Sequence, residues 1–165
     1  MTNAQAAAIQ KTCCFTGHRL IEESDFSSLQ QSLEHTVRRA IEEFGFCNFI
    51  AGGALGFDTL ASETLLLLKK DYPQIRLLLA LPCPEQARYF KKADILRYER
   101  ILNFCDKYVY VSPHYTPSCM HERNRFLVDH SSLCIAYLRE GAKGGTAYTV
   151  SYAKEKGVPC INLFN

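Results

Sequence analysis

The sequence lacks an apolar run of the roughly 20 residues that a membrane-spanning helix needs, so no membrane span is expected. Its opening, MTNAQAAAIQK, is too polar and too short for a secretory signal peptide. No CxxC pair occurs among the eight cysteines, and there is no long basic block, with 19 Lys and Arg against 17 Asp and Glu. These absences disfavour a secreted disulfide scaffold and a protein held to nucleic acid by clustered positive charge. We expect a cytoplasmic protein.

The cysteines that are present lie mostly in or beside apolar stretches, where a free thiol behaves as a small buried hydrophobe. The group that comes nearest to a metal site consists of Cys119, His121, His114 and His130. Its spacing matches no standard ligand pattern. We therefore predict no metal site and no cofactor.

Apolar segments of strand length alternate with amphipathic segments of helix length. Strands are predicted at residues 12–17, 46–51, 75–81, 107–111, 133–138 and 158–164, and helices at 24–44, 57–70, 85–90, 94–104, 118–130 and 146–156. The strand segments are continuously apolar, as in parallel sheets that are covered on both faces. This pattern predicts a Rossmann-like three-layer α/β fold with a mostly parallel sheet of about six strands. We expect residues 12–165 to form a single domain and residues 1–11 a flexible tail.

Polar or glycine-rich loops follow three of the predicted strands. Ligands of open parallel sheets bind beyond the carboxyl ends of the strands, so these loops are expected to share one rim. Glycine lets the backbone approach a ligand closely, a helix N-terminus attracts an anion, and arginine pairs with phosphate oxygens. The candidate ligand-binding residues in these loops are Gly17, His18, Arg19, Gly52, Gly53, Gly56, Asp58, Gly144, Gly145 and Thr146.

Each of these loops also has a purely structural interpretation. The glycines after the second strand suit a tight turn into a helix, Thr146 suits a helix cap, and the loop at residues 17–19 suits a solvated turn. The glycine spacing fits neither the Walker phosphate loop nor the GxGxxG dinucleotide motif. An ordinary NTPase or NAD dehydrogenase is therefore disfavoured.

A charged segment, MHERNR at residues 120–125, lies at the start of the predicted fifth helix after the N-terminal tail. Glu122 and Arg125 are three residues apart and can form a local ion pair on the helix surface. Arg123 lies on a different face. If Arg123 points over the strand ends, it is a second cation for the same anion, so Arg123 and Asn124 complete the candidate binding set.

Four motifs together resemble the YpsA-like branch of the SLOG superfamily: CFTGHR at 14–19, GGALGFDTLA at 52–61, MHERNRFLVD at 120–129 and GGTAYTVSYA at 144–153. They occur in the family's order and span nearly the whole chain. The superfamily also groups the Lonely Guy (LOG) phosphoribohydrolases with the nucleotide-binding core of the DNA-processing protein DprA. The resemblance implies a bacterial, Rossmann-like protein that binds a nucleotide or a nucleotide-derived ligand such as ADP-ribose.

One position departs from the pattern of the LOG enzymes. The chain is similar to them in a Met-His-x-Arg segment, matched by Met120, His121 and Arg123. Their Gly-Thr-x-x-Glu segment, however, carries a catalytic Glu at the position that Thr149 occupies here. A neutral hydroxyl cannot supply a carboxylate at a glycosyl centre, so we assign no catalytic residue and do not favour an enzyme.

The leading hypothesis is a nucleotide-binding or ADP-ribose-binding protein that acts as a sensor or regulator, with a nucleotide-derived small molecule as its partner. The alternatives are a LOG-like nucleoside-monophosphate phosphoribohydrolase and a DprA-like single-stranded DNA-binding protein. The net charge of +2 disfavours nucleic acid as a partner. The sequence leaves open which ligand is bound and whether the chain forms a homodimer.

Overall fold

The computed structural model describes residues 1–164, and within them a single sheet of six strands is formed. The strands are β1 (Thr12–Gly17), β2 (Asn48–Ala51), β3 (Arg76–Leu81), β4 (Lys107–Tyr110), β5 (Leu133–Tyr137) and β6 (Cys160–Asn162). Their spatial order is β4-β3-β2-β1-β5-β6, and every neighbouring pair is parallel. The chain moves outward from β1 to β4 and then crosses back to β5. The strand order therefore reverses between β1 and β5.

Helices cover both faces of this sheet. They are α1 (Asn3–Gln10), α2 (Glu23–Glu42), α3 (Phe57–Leu68), α4 (Lys92–Phe104), α5 (Cys119–Asp129) and α6 (Gly145–Glu155), with a short 3₁₀ helix at Pro84–Ala87. Side chains from α2, α3 and α4 pack on one face, and side chains from α5 and α6 pack on the other. This is the predicted Rossmann-like three-layer arrangement, which is confirmed. Across residues 1–164, no helix has both the length and the apolar character to cross a membrane.

β1 lies in the interior of the sheet, between β2 and β5. Cys13, Cys14 and Phe15 of β1 are completely buried. The Phe15 ring stacks on Phe49 of β2 with ring centroids 6.1 Å apart and meets Phe57 of α3 edge-on at 6.4 Å. Continuous burial of β1 and β5 explains why their sequences show apolar runs without a polar alternation. The loops that leave these two strands therefore start from fixed positions.

The N-terminal segment differs from the expected flexible tail. Residues 3–10 form α1, and a capping box begins it: the Gln5 amide donates to the Thr2 hydroxyl oxygen, and the Thr2 amide donates to the Gln5 side-chain oxygen. No residue of α1 is buried. Its order therefore comes from local capping and helix propensity, which a reading based on burial does not detect.

Smaller differences concern helix ends and one helix face. Glu22 is the N-cap of α2, whereas the predicted helix range starts at residue 24, and the segment predicted as a helix at 85–90 is a 3₁₀ helix of four residues. In α4, Leu96 is 59% exposed, whereas Ile101 is buried. These differences leave the positions of the rim loops unchanged.

Candidate functional site

A cavity of about 270 Å³ opens at the carboxyl edge of the sheet, where the strand order reverses. We call it the rim cavity. The loops after β1, β2 and β5 and the first turns of α5 all contribute to its wall. Eight of the predicted site residues meet there: Gly17, His18, Arg19, Asp58, Arg123, Asn124, Gly145 and Thr146.

Arg123 and Asp58 form a buried pair at the floor of the rim cavity. Each residue is 5% exposed, and the Arg123 Nη1 atom lies 3.9 Å from Asp58 Oδ2. The guanidinium also donates to the Gly52 carbonyl through Nη1 and to Asn124 Oδ1 through Nε, the latter over 2.8 Å. These two hydrogen bonds and the nearby Asp58 carboxylate hold Arg123 in one orientation, with its charge beneath the cavity.

Asp58 is the single carboxylate among the residues that line the rim cavity. Its Oδ2 atom accepts a hydrogen bond from the Ala54 amide over 3.2 Å. Burial raises the pKa of the Asp58 carboxyl above its ordinary value, while the Arg123 guanidinium acts in the opposite direction. Asp58 therefore organises the loop after β2, since its carboxylate accepts a hydrogen bond from the backbone of that loop.

The glycines after β2 make room for neighbouring protein groups. A Cβ atom on Gly52 would strike the Arg123 guanidinium. A Cβ atom on Gly56 would strike the backbone carbonyls of His18 and Arg19. The Phe57 amide at the start of α3 donates to His18 O over 3.1 Å, which joins the first two rim loops. Close packing of backbone and side chain therefore explains both glycines.

Four of the predicted ligand-binding residues do not line the rim cavity: Gly52, Gly53, Gly56 and Gly144. Gly53 has a φ of +68°, and a Cβ atom there would meet Leu81 Cδ2 at 2.5 Å on the other side of the loop. The tight-turn interpretation accounts for the conformation of Gly53. Contact between the amides of this loop and a ligand stays a prediction.

The start of α6 supplies backbone donors at the rim cavity. Gly144 is the N-cap, no side chain caps this helix, and the first bond within it runs from Tyr148 N to Gly144 O over 2.9 Å. The amides of residues 145–147 precede that bond and have no acceptor within the helix. Gly145 and Thr146 line the rim cavity, so the positive end of the α6 dipole is directed at it.

Lys143 is a rim residue that the sequence analysis missed. Its exposed side chain lines the rim cavity from the loop before α6. The signal that could have found it is its place immediately before the glycine pair Gly144 and Gly145. Further lining residues absent from the predicted set are Phe15, Thr16, Ala54, Met120 and Leu127.

His18 fastens the loop after β1 to the loop after β5. Its Nε2 atom accepts a hydrogen bond from the Arg139 amide over 2.9 Å, and its ring meets the Tyr137 ring edge-on at 5.7 Å. An Nε2 atom that accepts a hydrogen bond carries no proton. Burial, followed by the charge of Arg139, lowers the pKa of His18 from its ordinary value. His18 is therefore held as the neutral ring, and its role in this structure is positioning.

The electrostatic balance of the rim cavity favours an anion. Arg19, Arg123 and Lys143 bring three positive charges, and Asp58 brings one negative charge. Arg19 and Lys143 are exposed, so their side chains are free to move toward a ligand. Arg19 and Lys143 are thus an outer pair of cations that can move, and Arg123 is an inner cation that is fixed. The α6 N-terminus adds a partial positive charge to these three.

Thr149 does not face the rim cavity. It is completely buried, and its hydroxyl donates to Gly145 O over 2.7 Å within α6. The side chain at the position where the LOG pattern has a catalytic Glu is therefore buried between α6 and the sheet.

A larger cavity of about 700 Å³ lies at the opposite edge of the sheet, between α1, α5 and the strands β2 to β4. Its inner wall is mostly apolar and includes Ile50, Leu78 and Val109. Polar groups do not converge on a point there as they do at the carboxyl edge, so size alone does not make it the candidate site. Within residues 1–164, no group of three or more His, Cys, Asp or Glu residues is arranged to hold a metal ion.

Fold and site together define a Rossmann-like α/β domain with a positively charged cavity at the switch point of its sheet. Residues 13–158 match the YpsA family model, described as the YspA SLOG family. The chain belongs to this family, which confirms the resemblance carried by the four sequence motifs.

Two relatives illustrate how far the similarity extends. The chain is 30% identical over 139 residues to the uncharacterized SPbeta prophage-derived protein YoqJ of Bacillus subtilis, covering 77% of this chain and 81% of YoqJ. It is 26% identical over 155 residues to the UPF0398 protein BH1768 of Halalkalibacterium halodurans, covering 88% of this chain and 82% of that protein.

Two solved structures of DNA processing protein A share the fold. The Helicobacter pylori protein, described for its single-stranded DNA binding mode, superposes with a TM-score of 0.63 at 19% identity, covering 96% of this chain and 67% of that one. The Streptococcus pneumoniae protein gives a TM-score of 0.63 at 14% identity, covering 90% of this chain and 48% of that one. At these identities the likeness shows the fold alone.

Proposed function

We propose that this protein binds a nucleotide or an ADP-ribose-like ligand in the rim cavity and acts as a sensor or regulator. The observation that carries the proposal is the convergence of Arg19, Arg123, Lys143 and the uncapped N-terminus of α6 on one cavity. Helix N-termini and arginines are the groups that proteins use to hold phosphate oxygens. A phosphate placed at the α6 N-terminus lies within the field of all three cations.

The size of the rim cavity indicates which part of the ligand it would enclose. Its volume of about 270 Å³ is just below the roughly 300–1,000 Å³ of pockets that enclose a drug-sized molecule. A phosphate with its sugar would occupy the cavity, and the remainder of the ligand would extend past the exposed Arg19 and Lys143. These two side chains would then set affinity without disturbing the core.

A thermal-shift and calorimetric panel of AMP, ADP and ADP-ribose tests this proposal. A ligand that binds only the folded state raises its stability by mass action. Arg19→Ala and Lys143→Ala should each weaken binding by about ten- to a hundredfold, because a charge-assisted contact of roughly 1.5–3 kcal/mol is lost. The matched controls are Arg125→Ala and Lys154→Ala, which remove exposed cations outside the rim cavity.

Two results would contradict the proposal. The first is a nucleotide panel without any shift in melting temperature or heat of binding. The second is an equal loss of affinity in the rim variants and their controls, which would place the ligand elsewhere. Release of adenine from AMP by the purified protein would favour the phosphoribohydrolase alternative instead.

The DprA-like fold gives single-stranded DNA as the second candidate ligand. The chain is similar to the Helicobacter pylori protein over 96% of its length, and that protein is described as binding single-stranded DNA. In this chain, however, Arg123 and Asn124 of the charged segment are 5% and 8% exposed, so they cannot track an extended strand. Fluorescence anisotropy with a labelled oligonucleotide separates the candidates, since DNA binding would weaken steeply with added salt.

A further inference from the structure

Three cysteines lie side by side across the sheet on the face covered by α5 and α6. Cys14 of β1 is in register with Cys134 of β5, and Cys134 is in register with Cys160 of β6. Cys14 and Cys134 belong to the apolar cluster of that face, and Cys160 packs against it. Side chains in register on neighbouring parallel strands project from the same face of a sheet, so the three thiols are neighbours. We call Cys14, Cys134 and Cys160 the thiol row.

Solvent reaches the thiol row only at its Cys160 end. Cys14 and Cys134 are 0% exposed, whereas Cys160 is partly exposed on the three-residue edge strand β6. The neighbouring Cys134 thiol lowers the pKa of Cys160, whereas its own thiol neighbours and burial raise the pKa of Cys134. Since the thiolate is the reactive form, the thiol that solvent reaches is also more nucleophilic than Cys134.

We propose that Cys160 and Cys134 form a dithiol site that a hydroperoxide oxidises to a disulfide between β5 and β6. The Cys160 thiolate attacks the peroxide, the O–O bond breaks, and a sulfenic acid forms on Cys160 while the leaving oxygen departs as water or an alcohol. The Cys134 thiol then attacks that sulfur, the S–S bond forms, and the S–O bond breaks with release of water. Two thiols are oxidised for each peroxide reduced.

The sheet geometry accommodates this bond. Residues in register on neighbouring parallel strands stand about 4.8 Å apart, the spacing between the strands. Disulfides join Cα atoms that are roughly 4.4–6.8 Å apart. The second step therefore needs side-chain rotation and a small adjustment of the edge strand, without separation of β5 from β6.

The dithiol site is connected to the rim cavity through β6. Asn162, two residues after Cys160, accepts from the Leu138 amide over 2.9 Å and donates to the Leu138 carbonyl over 2.8 Å. Leu138 begins the loop that leads to Lys143. A displacement of β6 on oxidation would therefore also displace this loop. The further inference that oxidation changes ligand affinity rests on the proposed function.

The chain contains internal comparisons for the reactivity of Cys160. Cys47 and Cys105 are also partly exposed, but neither is in register with another cysteine among the described strands. Cys83 and Cys119 are 1% and 0% exposed, so a solution oxidant does not reach them. Among the described strands, only the thiol row combines cysteines in register with access from solvent.

The test is peptide mapping of the full chain under non-reducing conditions after treatment with hydrogen peroxide. We expect a peptide pair linked through Cys134 and Cys160, which is absent from Cys160→Ser and retained in Cys105→Ser. In Cys134→Ser, the sulfenic acid on Cys160 should persist and be trapped by dimedone. Hydrogen exchange at the Leu138 amide should differ between the oxidised and the reduced protein.

The proposal is overturned if Cys83 and Cys119 form the linked pair, if Cys14 and Cys134 form it without Cys160, or if Cys160 reacts no faster than Cys47 and Cys105. An unchanged Leu138 amide would remove the connection to the loop. None of these measurements needs a nucleotide. Failure of the dithiol site and failure of the proposed function are therefore observed separately.

Discussion

At the scale of single residues, the rim cavity depends on the positive charge of Arg123, whose removal from water costs free energy. Arg123 has most of its surface covered by protein, and its partner Asp58 is equally enclosed. Two buried ions are tolerated only where hydrogen bonds replace lost water, and Gly52 O, Asn124 Oδ1 and the Ala54 amide supply them here. This arrangement keeps a fixed positive charge beneath a cavity whose other cations are mobile.

Replacing Arg123 by alanine should therefore destabilise the fold. The substitution leaves the Asp58 carboxylate buried without its counter-ion, and we expect a loss of about 3–5 kcal/mol in the free energy of unfolding. Urea denaturation measures this loss. Arg125→Ala, on the exposed side of the same helix, should change the free energy of unfolding by less than about 0.5 kcal/mol. Similar values for the two variants would show that the buried pair contributes nothing to stability.

His18 should make stability depend on pH. An unfolded histidine has a pKa of about 6.5, and burial lowers the pKa of His18 in the fold. The unfolded state therefore takes up the proton first as the pH falls. The resulting stability is present above pH ~6.5 and declines as the pH drops toward the folded pKa. His18→Gln, which can accept from the Arg139 amide without titrating, should lose less stability between pH 7.5 and 5.5.

The comparison of His18→Gln with the unchanged protein cancels the other histidines, because both proteins retain them. Denaturant unfolding at the two pH values gives the required differences. An equal loss in both proteins, or an NMR titration of His18 above 6.5, would contradict the neutral hydrogen-bonded ring.

At the scale of elements, the loop between β2 and α3 is shaped by packing on both sides. Gly53→Ala should strain the positive φ and also press a methyl group against Leu81. Gly157 has a similar φ of +70° with no atom within 4 Å of an added Cβ atom, so Gly157→Ala is the matched control. We expect about 1–2 kcal/mol of destabilisation in the control and roughly 1–3 kcal/mol more in Gly53→Ala, measured by urea unfolding. Equal effects would remove the contact with Leu81 from the explanation.

The bounds of an element could be predicted from the sequence where the element buries a continuous apolar face. The strand at residues 12–17 was predicted to the residue, because its burial is uninterrupted from Thr12 to Thr16. Helix starts were less predictable: α2 begins at Glu23, before the predicted start at residue 24, and no side chain caps it. The helix α1 was not predicted, because none of its residues is buried and the sequence therefore shows no apolar face there.

The candidate site was predictable to the level of its loops but not of its atoms. The rule that ligands bind beyond the carboxyl ends of parallel strands located the three loops correctly at one edge. A sequence cannot show that Asp58 turns back onto the Ala54 amide, or that Gly53 faces Leu81. It also cannot show that the start of α6 lines the cavity, because that follows from three-dimensional contacts. Which of these residues bind a ligand remains a prediction.

At the scale of the whole molecule, the rim cavity joins the two halves of the sheet. Asp58 comes from the half formed by β1 to β4, and Gly145 and Thr146 come from the half that ends in β6. Arg123 lies on α5, the helix of the connection that crosses back between them. A ligand held by all of these groups would link the halves, and this is the physical basis on which binding could be communicated to the rest of the protein.

Amide hydrogen exchange should show this organisation directly. The slowest exchange is expected in β1 and β5, which are buried throughout and paired on both sides, and the fastest in α1, which has no buried residue. ADP-ribose should add protection at residues 138–147 and leave α1 unchanged, because the α6 amides would become hydrogen-bonded to the ligand. Added protection in α1 would instead place the ligand in the larger cavity, whose wall includes Gln5 and Ala8. That result would contradict the rim cavity as the binding site even if the ligand raised the melting temperature.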